Sequence, residues 1–104
     1  MPSRKKNPKR KTPPATISIL GRQYRLTIEP GPLYVDRDQV RGRIDYTDHT
    51  IAIDADLAGV EETLLHKVLH GVADGLELGF NEKTIIRLTS GLFSAGVCVP
   101  VRIG

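Results

Sequence analysis

The spacing of apolar residues changes along this chain of 104 residues, from a period of two before residue 57 to about 3.6 after it. Before the change, apolar and polar residues alternate in segments 16–30 and 41–54. After it, one apolar stripe follows a helical face from about 57 to 78. The members of that stripe are Val60, Leu64, Leu65, Val68, Leu69, Val72 and Leu76. Strands followed by helices predict an α+β domain.

Each alternating segment contains a turn, and the two segments therefore predict two β-hairpins. The first turns at Gly21-Arg22 and the second at 47–50. Segment 30–40 is rich in proline and glycine near its start, which predicts a loop. The closing stretch VCVPVRIG is extended, and Pro100 restricts it to an edge of the sheet. We expect a small, mostly antiparallel sheet of about three to four strands packed on two helices.

Capping residues predict where the two helices begin and end. Asp56 is a candidate N-cap for the first helix and Gly79 is a candidate stop. Asn81 is a candidate N-cap for the second helix, which is expected to end near Gly96. The second apolar stripe consists of Ile85, Leu88, Leu92 and Phe93.

Charge is concentrated at the start of the chain. Residues 1–12 contain six lysines or arginines and no acid, whereas residues 13–104 contain nine basic and twelve acidic residues, a formal charge of −3. We predict that 1–15 form a disordered basic tail and that 16–104 form a single domain. Two roles remain open for the tail: a solvated segment, or a nonspecific contact with nucleic acid or an acidic partner.

Cys98 is the sole cysteine, which excludes an intrachain disulfide and a cysteine-rich zinc site. No apolar run approaches the roughly 18 residues of a membrane span, and no apolar stretch follows the charged start as in a signal peptide. We therefore expect a cytoplasmic protein with no membrane partner. The oligomeric state stays open.

Two histidines stand four residues apart in TLLHKVLHGVAD, residues 63–74. At about 100° per residue, His66 and His70 are roughly 40° apart on one flank of the predicted helix. Two imidazoles one turn apart can bind one metal ion, but they also occur at the edge of ordinary cores. Asp74, one turn after His70, is placed to orient that ring. A third ligand has to come from another element.

The segment RIDYTDHTIAIDADL, the helix EETLLHKVLHGVADGLELGF and the second helix NEKTIIRLTSGLF follow one another over residues 43–93. In this order they resemble small phage and prophage zinc metallopeptidase-like proteins, compact zincins of the ImmA/IrrE type. The resemblance covers about half of the chain. It implies a zincin-like fold and one Zn²⁺ ion bound by His66, His70 and an acid at the head of the second helix. Glu82 matches that position, with Glu77 as the alternative.

Lys67 departs from the pattern, because the family carries at this position the glutamate that acts as general base. A protonated lysine cannot accept a proton, and the pKa of an unperturbed lysine side chain is about 10.4. The resemblance therefore implies a protein related to peptide hydrolases, in a phage or prophage setting. With lysine at position 67, we expect it to lack peptidase activity. Three explanations stay open: a pseudoenzyme that binds zinc for structure or for recognition of a protein or peptide partner, a laboratory or natural inactivating change at Lys67, or a base supplied by Glu62.

Overall fold

The structure, a computed structural model, describes residues 15–103. Apart from Ala15, the predicted basic tail lies outside the described residues. The strands are β1 Ala15–Ile19, β2 Arg22–Glu29, β3 Leu33–Val35, β4 Asp38–Val40, β5 Gly42–Asp45, β6 Thr50–Asp54 and β7 Arg102–Ile103, and the helices are α1 Val60–Gly75 and α2 Glu82–Ser94. The α+β class and the two helices are confirmed.

The main sheet has five strands in the order β5-β6-β2-β1-β7, and a second sheet consists of β3 and β4. The predicted number of three to four strands was wrong, whereas three of the four pairings in this sheet are antiparallel, in line with a mostly antiparallel sheet. β2 and β6 pair in parallel, with Leu26 opposite Ile51 and Ile28 opposite Ile53. A parallel pair needs a crossover of a dozen or more residues, and the chain between these strands supplies it.

The segment predicted as a loop contains the small β3–β4 hairpin, which adds further strands. Its turn uses Asp36 at φ 56°, a left-handed conformation that aspartate tolerates better than most residues. The strands are only three residues long, too short to show a period of two. β7 is an edge strand beside β1, as Pro100 predicted.

Helix α1 is shorter than predicted at both ends. Gly59 occupies the N-cap position with φ 83°, and no side chain caps the helix. Asp56 is engaged elsewhere, because its carboxylate accepts a hydrogen bond from the Gly31 amide at 3.2 Å. At the other end, Glu77 adopts φ 54° and Leu78 N–H donates to Ala73 O at 3.0 Å, so a Schellman-type turn ends the helix before Gly79.

The core lies between α1 and one face of the five-stranded sheet. It consists of Ile17, Ile19, Tyr24, Leu26, Ile51, Ile53 and Leu64. Val68 and Val72 of the predicted stripe pack against it. Helix α2 packs on α1 through Ile85 and Thr89, whereas Leu88 and Phe93 of its predicted stripe are 38% exposed. Fewer residues of the predicted α2 stripe are buried than expected, because only a narrow side of this helix contacts α1.

Candidate metal centre

The two histidines lie on the side of α1 that faces α2, away from the aliphatic core. Their rings are stacked, with centroids 4.8 Å apart and planes inclined by 13°. The Nε2 atoms of His66 and His70 are 3.0 Å apart. Both side chains are partly buried, with 22% and 29% exposed. The four-residue spacing in sequence therefore produces two nitrogens directed at one point.

Helix α2 brings a carboxylate to the same point. Glu82 is its first residue, and the preceding Asn81 caps the helix by accepting a hydrogen bond from Thr84 N–H at 2.8 Å, as predicted. Glu82 Oε1 is 2.7 Å from His70 Nε2, and Oε2 is 3.2 Å from His66 Nε2. The first turn of a helix also favours a negative charge. The structure thus brings His66, His70 and Glu82 together, with ligand atoms within 4.8 Å of one another.

The chemistry of these atoms suits a cation. A neutral imidazole carries a proton on only one nitrogen, so two Nε2 atoms 3.0 Å apart form a hydrogen bond only when one of them carries the proton and the other does not. A divalent ion instead engages both nitrogen lone pairs and the carboxylate together. Two nitrogens at about 2.0–2.1 Å from a tetrahedral zinc ion are roughly 3.3 Å apart, close to the separation observed here. These residues fit a zinc ion.

Burial also favours the form of histidine that binds metals. It lowers the pKa of His66, and Lys67 and His70 lower this pKa further, against the opposing effect of Glu82. The neutral ring is therefore favoured, and only a neutral ring has a lone pair free for a metal.

Lys67, where the resembled family has its general base, lies beside this cluster. Burial lowers the pKa of its ammonium group, and the negative charge of Glu82 opposes that shift. The lysine is therefore close enough to Glu82 to interact with it electrostatically. A cation at this position competes with a metal ion for the carboxylate.

A cavity opens on each side of the histidine pair. The one beside His66 has a volume of about 420 Å³ and is also lined by Arg41 and Glu62. Glu62, the alternative source of a base, thus faces the same cavity as His66. Sequence reasoning missed Arg41, whose Nη1 donates to Ala58 O at 2.9 Å, because nothing in the pattern separates it from other loop arginines.

The cavity beside His70 has a volume of about 330 Å³ and contains the other predicted residues. Asp74 and Glu77 both line it, together with Tyr46. Among the described residues, no hydrogen bond joins Asp74 to the His70 ring, so its predicted orienting role stays a prediction. Glu77 is not a member of the three-residue cluster. Burial raises the pKa of Tyr46, and the charge of Asp74 raises it further.

The third histidine, His49, lies apart from the cluster. It occupies the β5–β6 turn with φ 55°, and its ring centroid is 4.9 Å from that of Tyr24.

No family model, curated protein or solved structure matches this chain. Within residues 15–103, neither helix has the length and apolar character needed to cross a membrane.

Proposed function

We propose that this protein binds one zinc ion through His66, His70 and Glu82. The observation that carries the proposal is the convergence of two Nε2 atoms and one carboxylate from two different helices. With three protein ligands, a fourth coordination position stays open, as in catalytic rather than structural zinc sites. The cavities on either side leave room for a peptide-sized ligand to reach that position.

We further propose a zincin-like protein of the phage or prophage type that is impaired as a peptidase. Zinc in such a site supplies a Lewis acid that polarises a carbonyl. His66, His70 and Glu82 would hold the ion, but Lys67 replaces the proton acceptor that the resembled family uses. Loss of a positioned general base lowers rates by about 10²–10⁴-fold. The function we favour is therefore metal-dependent recognition of a protein or peptide, with little hydrolysis.

Metal content tests the proposal. The full chain, purified without chelator at neutral pH and dialysed against trace zinc, is expected to carry one equivalent of zinc by elemental analysis. His66→Gln, His70→Gln and Glu82→Gln should each lower that content strongly, because a metal site with two protein ligands is weak.

His49→Asn and Glu61→Gln are the matched controls. They remove a histidine and a glutamate outside the cluster, and His49→Asn keeps a residue that tolerates the left-handed conformation. Both should retain the zinc content of the parent. A parent protein with a zinc content near zero rejects the site, and so does equal loss of zinc in the controls.

A further inference from the structure

The connection between the two helices, residues 76–81, exposes apolar side chains to solvent. Three of its six residues are large and apolar, and each keeps about half of its surface exposed; they are Leu76, Leu78 and Phe80. Leu20 of the β1–β2 turn is a further exposed leucine at this end of α1, because its Cδ1 lies 2.5 Å from the place where a Cβ would stand on Gly75. Exposed apolar residues that lie together are typical of interaction surfaces, whereas isolated ones need no explanation.

An acidic cavity borders this apolar connection. It is the cavity of about 330 Å³ beside His70, and Phe80 and Tyr46 contribute aromatic rings to its wall. Asp74 and Glu77 give it two carboxylates, and no lysine or arginine lines it. At about 1.5 Å per residue, Asp74 lies roughly 6 Å along α1 from His70, so the acidic end of the cavity is separate from the end at the metal centre.

The two carboxylates of the cavity are available to a ligand. Among residues 15–103, ion pairs within 4.0 Å involve only Glu82 and the two histidines, so no described cation neutralises Asp74 or Glu77. The charge of Asp74 also raises the pKa of Tyr46, which places the carboxylate and the phenol in the same space. The cavity therefore combines negative charge with aromatic rings, and both attract a cation.

We propose that this cavity and the exposed side chains of Leu78 and Phe80, together called the acidic groove, bind an extended peptide segment in which a lysine or arginine is flanked by apolar residues. The cationic side chain enters the cavity toward Asp74 and Glu77, since a charged donor bonds best to a carboxylate. Its apolar neighbours cover the exposed leucine and phenylalanine. The inference rests on the proposed function and deepens it, because it names the class of peptide whose backbone passes His70 to reach the zinc ion.

Fluorescence anisotropy tests the charge preference with three labelled, end-blocked peptides. They are identical except for a central lysine, glutamine or glutamate between two leucines. The zinc-loaded full chain should bind the lysine peptide about three to ten times more tightly than the glutamine peptide, because one exposed ion pair contributes up to about fivefold in affinity. The glutamate peptide should bind least. Asp74→Asn combined with Glu77→Gln should bring the ratio of lysine to glutamine affinities close to one, and Glu77→Gln alone should lower it in part.

Asp36→Asn combined with Glu61→Gln is the matched charge control. It removes one aspartate and one glutamate outside the groove, and Asp36 has a positive φ as Glu77 does. The ratio of lysine to glutamine affinities should stay that of the parent. Circular dichroism checks that every variant is folded.

The apolar part of the groove is tested separately. Leu78→Ser combined with Phe80→Ser should weaken binding of all three peptides by about fivefold or more, because the apolar contact is lost, while the ratio between the peptides is kept. Leu88→Ser combined with Phe93→Ser is the matched control. It removes the same residue types from α2, outside the cavity wall, and should keep the affinities of the parent.

Zinc content, measured for each protein, separates this inference from the proposed function. A parent without zinc contradicts the proposed function, and its ratio of lysine to glutamine affinities still decides the groove. The groove is rejected if the parent shows no preference for the lysine peptide. It is also rejected if the preference survives in the Asp74 and Glu77 double variant or is lost equally in the charge control. A parent that sediments as a dimer and dissociates on the Leu78 and Phe80 change would assign these apolar residues to a second copy of the chain and overturn the inference.

Discussion

Helix α1 contacts the rest of the protein through two surfaces of opposite character. Toward the sheet, Leu64 and Val68 pack against the aliphatic core. The contact is close there, since a Cβ added at Gly71 would lie 3.0 Å from Ile19 Cδ1. Toward α2, the same helix presents His66 and His70 to the carboxylate of a glutamate whose side chain is 58% exposed.

The difference separates the residues that stabilise the fold from those that bind a ligand. The sheet contact is complete with protein atoms alone, because burial of aliphatic side chains stabilises it. The contact with α2 includes the buried Ile85 and Thr89, but it also contains two nitrogens and a carboxylate, which a cation or a proton can bridge. We therefore expect changes at the first surface to alter stability without altering metal binding. Changes at the second should alter metal binding, and they should alter stability only when zinc is present.

The largest effect is expected from Lys67→Glu, which places a carboxylate beside the candidate metal ion. In zinc-loaded protein, hydrolysis of labelled casein should rise by about 10²–10⁴-fold over the parent, the usual contribution of a positioned general base. The zinc content should not fall, because a cation beside the ion has been removed.

Lys67→Gln is the matched control, since it removes the positive charge without providing a base. It should bind zinc and stay inactive. A Lys67→Glu protein that holds zinc and cleaves nothing would contradict the idea of a disabled peptidase while leaving the metal site intact.

Ile53→Ala tests the sheet contact. Ile53 is fully buried, and truncation of such a residue typically lowers the free energy of unfolding by about 2–5 kcal/mol. Urea unfolding measures this loss. Ile28→Ala is the matched control, because Ile28 is the direct cross-strand neighbour and is 51% exposed, so a much smaller loss is expected. A large drop in zinc bound per folded molecule of Ile53→Ala would show that the two surfaces are coupled.

Removal of the metal tests the contact with α2. Free zinc at about 100 times the dissociation constant should stabilise the protein by about 2.7 kcal/mol, and a chelator should abolish this gain. The measurement is the free energy of unfolding with and without chelator. His66→Gln should respond to neither zinc nor chelator, whereas His49→Asn should respond like the parent. Equal responses in the two variants would place the bound metal elsewhere.

Glu77→Gly has a smaller effect and distinguishes the two candidates for the third ligand. Glu77 has φ 54°, a conformation that disfavours side chains with a Cβ. Glycine should therefore raise the free energy of unfolding by up to about 1 kcal/mol, after allowance for its freedom in the unfolded chain. Zinc content should not change. A loss of zinc here, together with retention in Glu82→Gln, would exchange the roles of the two glutamates.

The smallest effect concerns Tyr46, beside His70. Its pKa is raised above 10.0 by burial first and by Asp74 second, so the folded state disfavours the phenolate. This contribution to stability is present below pH 10 and is lost as the pH rises through the folded pKa. Asp74→Asn should lower the pKa of one of the three tyrosines in an ultraviolet titration. An unchanged titration curve would contradict the proximity of these two groups.

Local sequence was sufficient for the elements whose signals lie within a few residues. The first hairpin, the N-cap at Asn81 and the α+β class were predicted because alternation and capping act over short distances, although the turn is at Leu20-Gly21, one residue before the predicted position. The start of α1 was not predictable, because Asp56 has the chemistry of an N-cap and is engaged instead by the Gly31 amide, 25 residues away. That hydrogen bond exists only after the sheet has formed.

The same limit applies to strand partners and to the buried side of α2. The parallel pairing of β2 with β6 joins segments whose apolar alternation would equally suit antiparallel partners. On α2, the apolar residues Ile85, Leu88 and Phe93 form a regular stripe, yet only Ile85 is buried. Contact with α1 selects the buried side, and the local pattern of α2 contains no information about that contact.

By itself the sequence determined that His66 and His70 share one flank of a helix, because the pitch of an α-helix brings residues four apart to the same side. It also determined that lysine stands between them. Only the tertiary structure decided which carboxylate meets the two rings. Glu77 and Glu82 both follow the two histidines closely in sequence. The left-handed turn after α1 reverses the direction of the chain, and Glu82, at the start of α2, therefore reaches both Nε2 atoms.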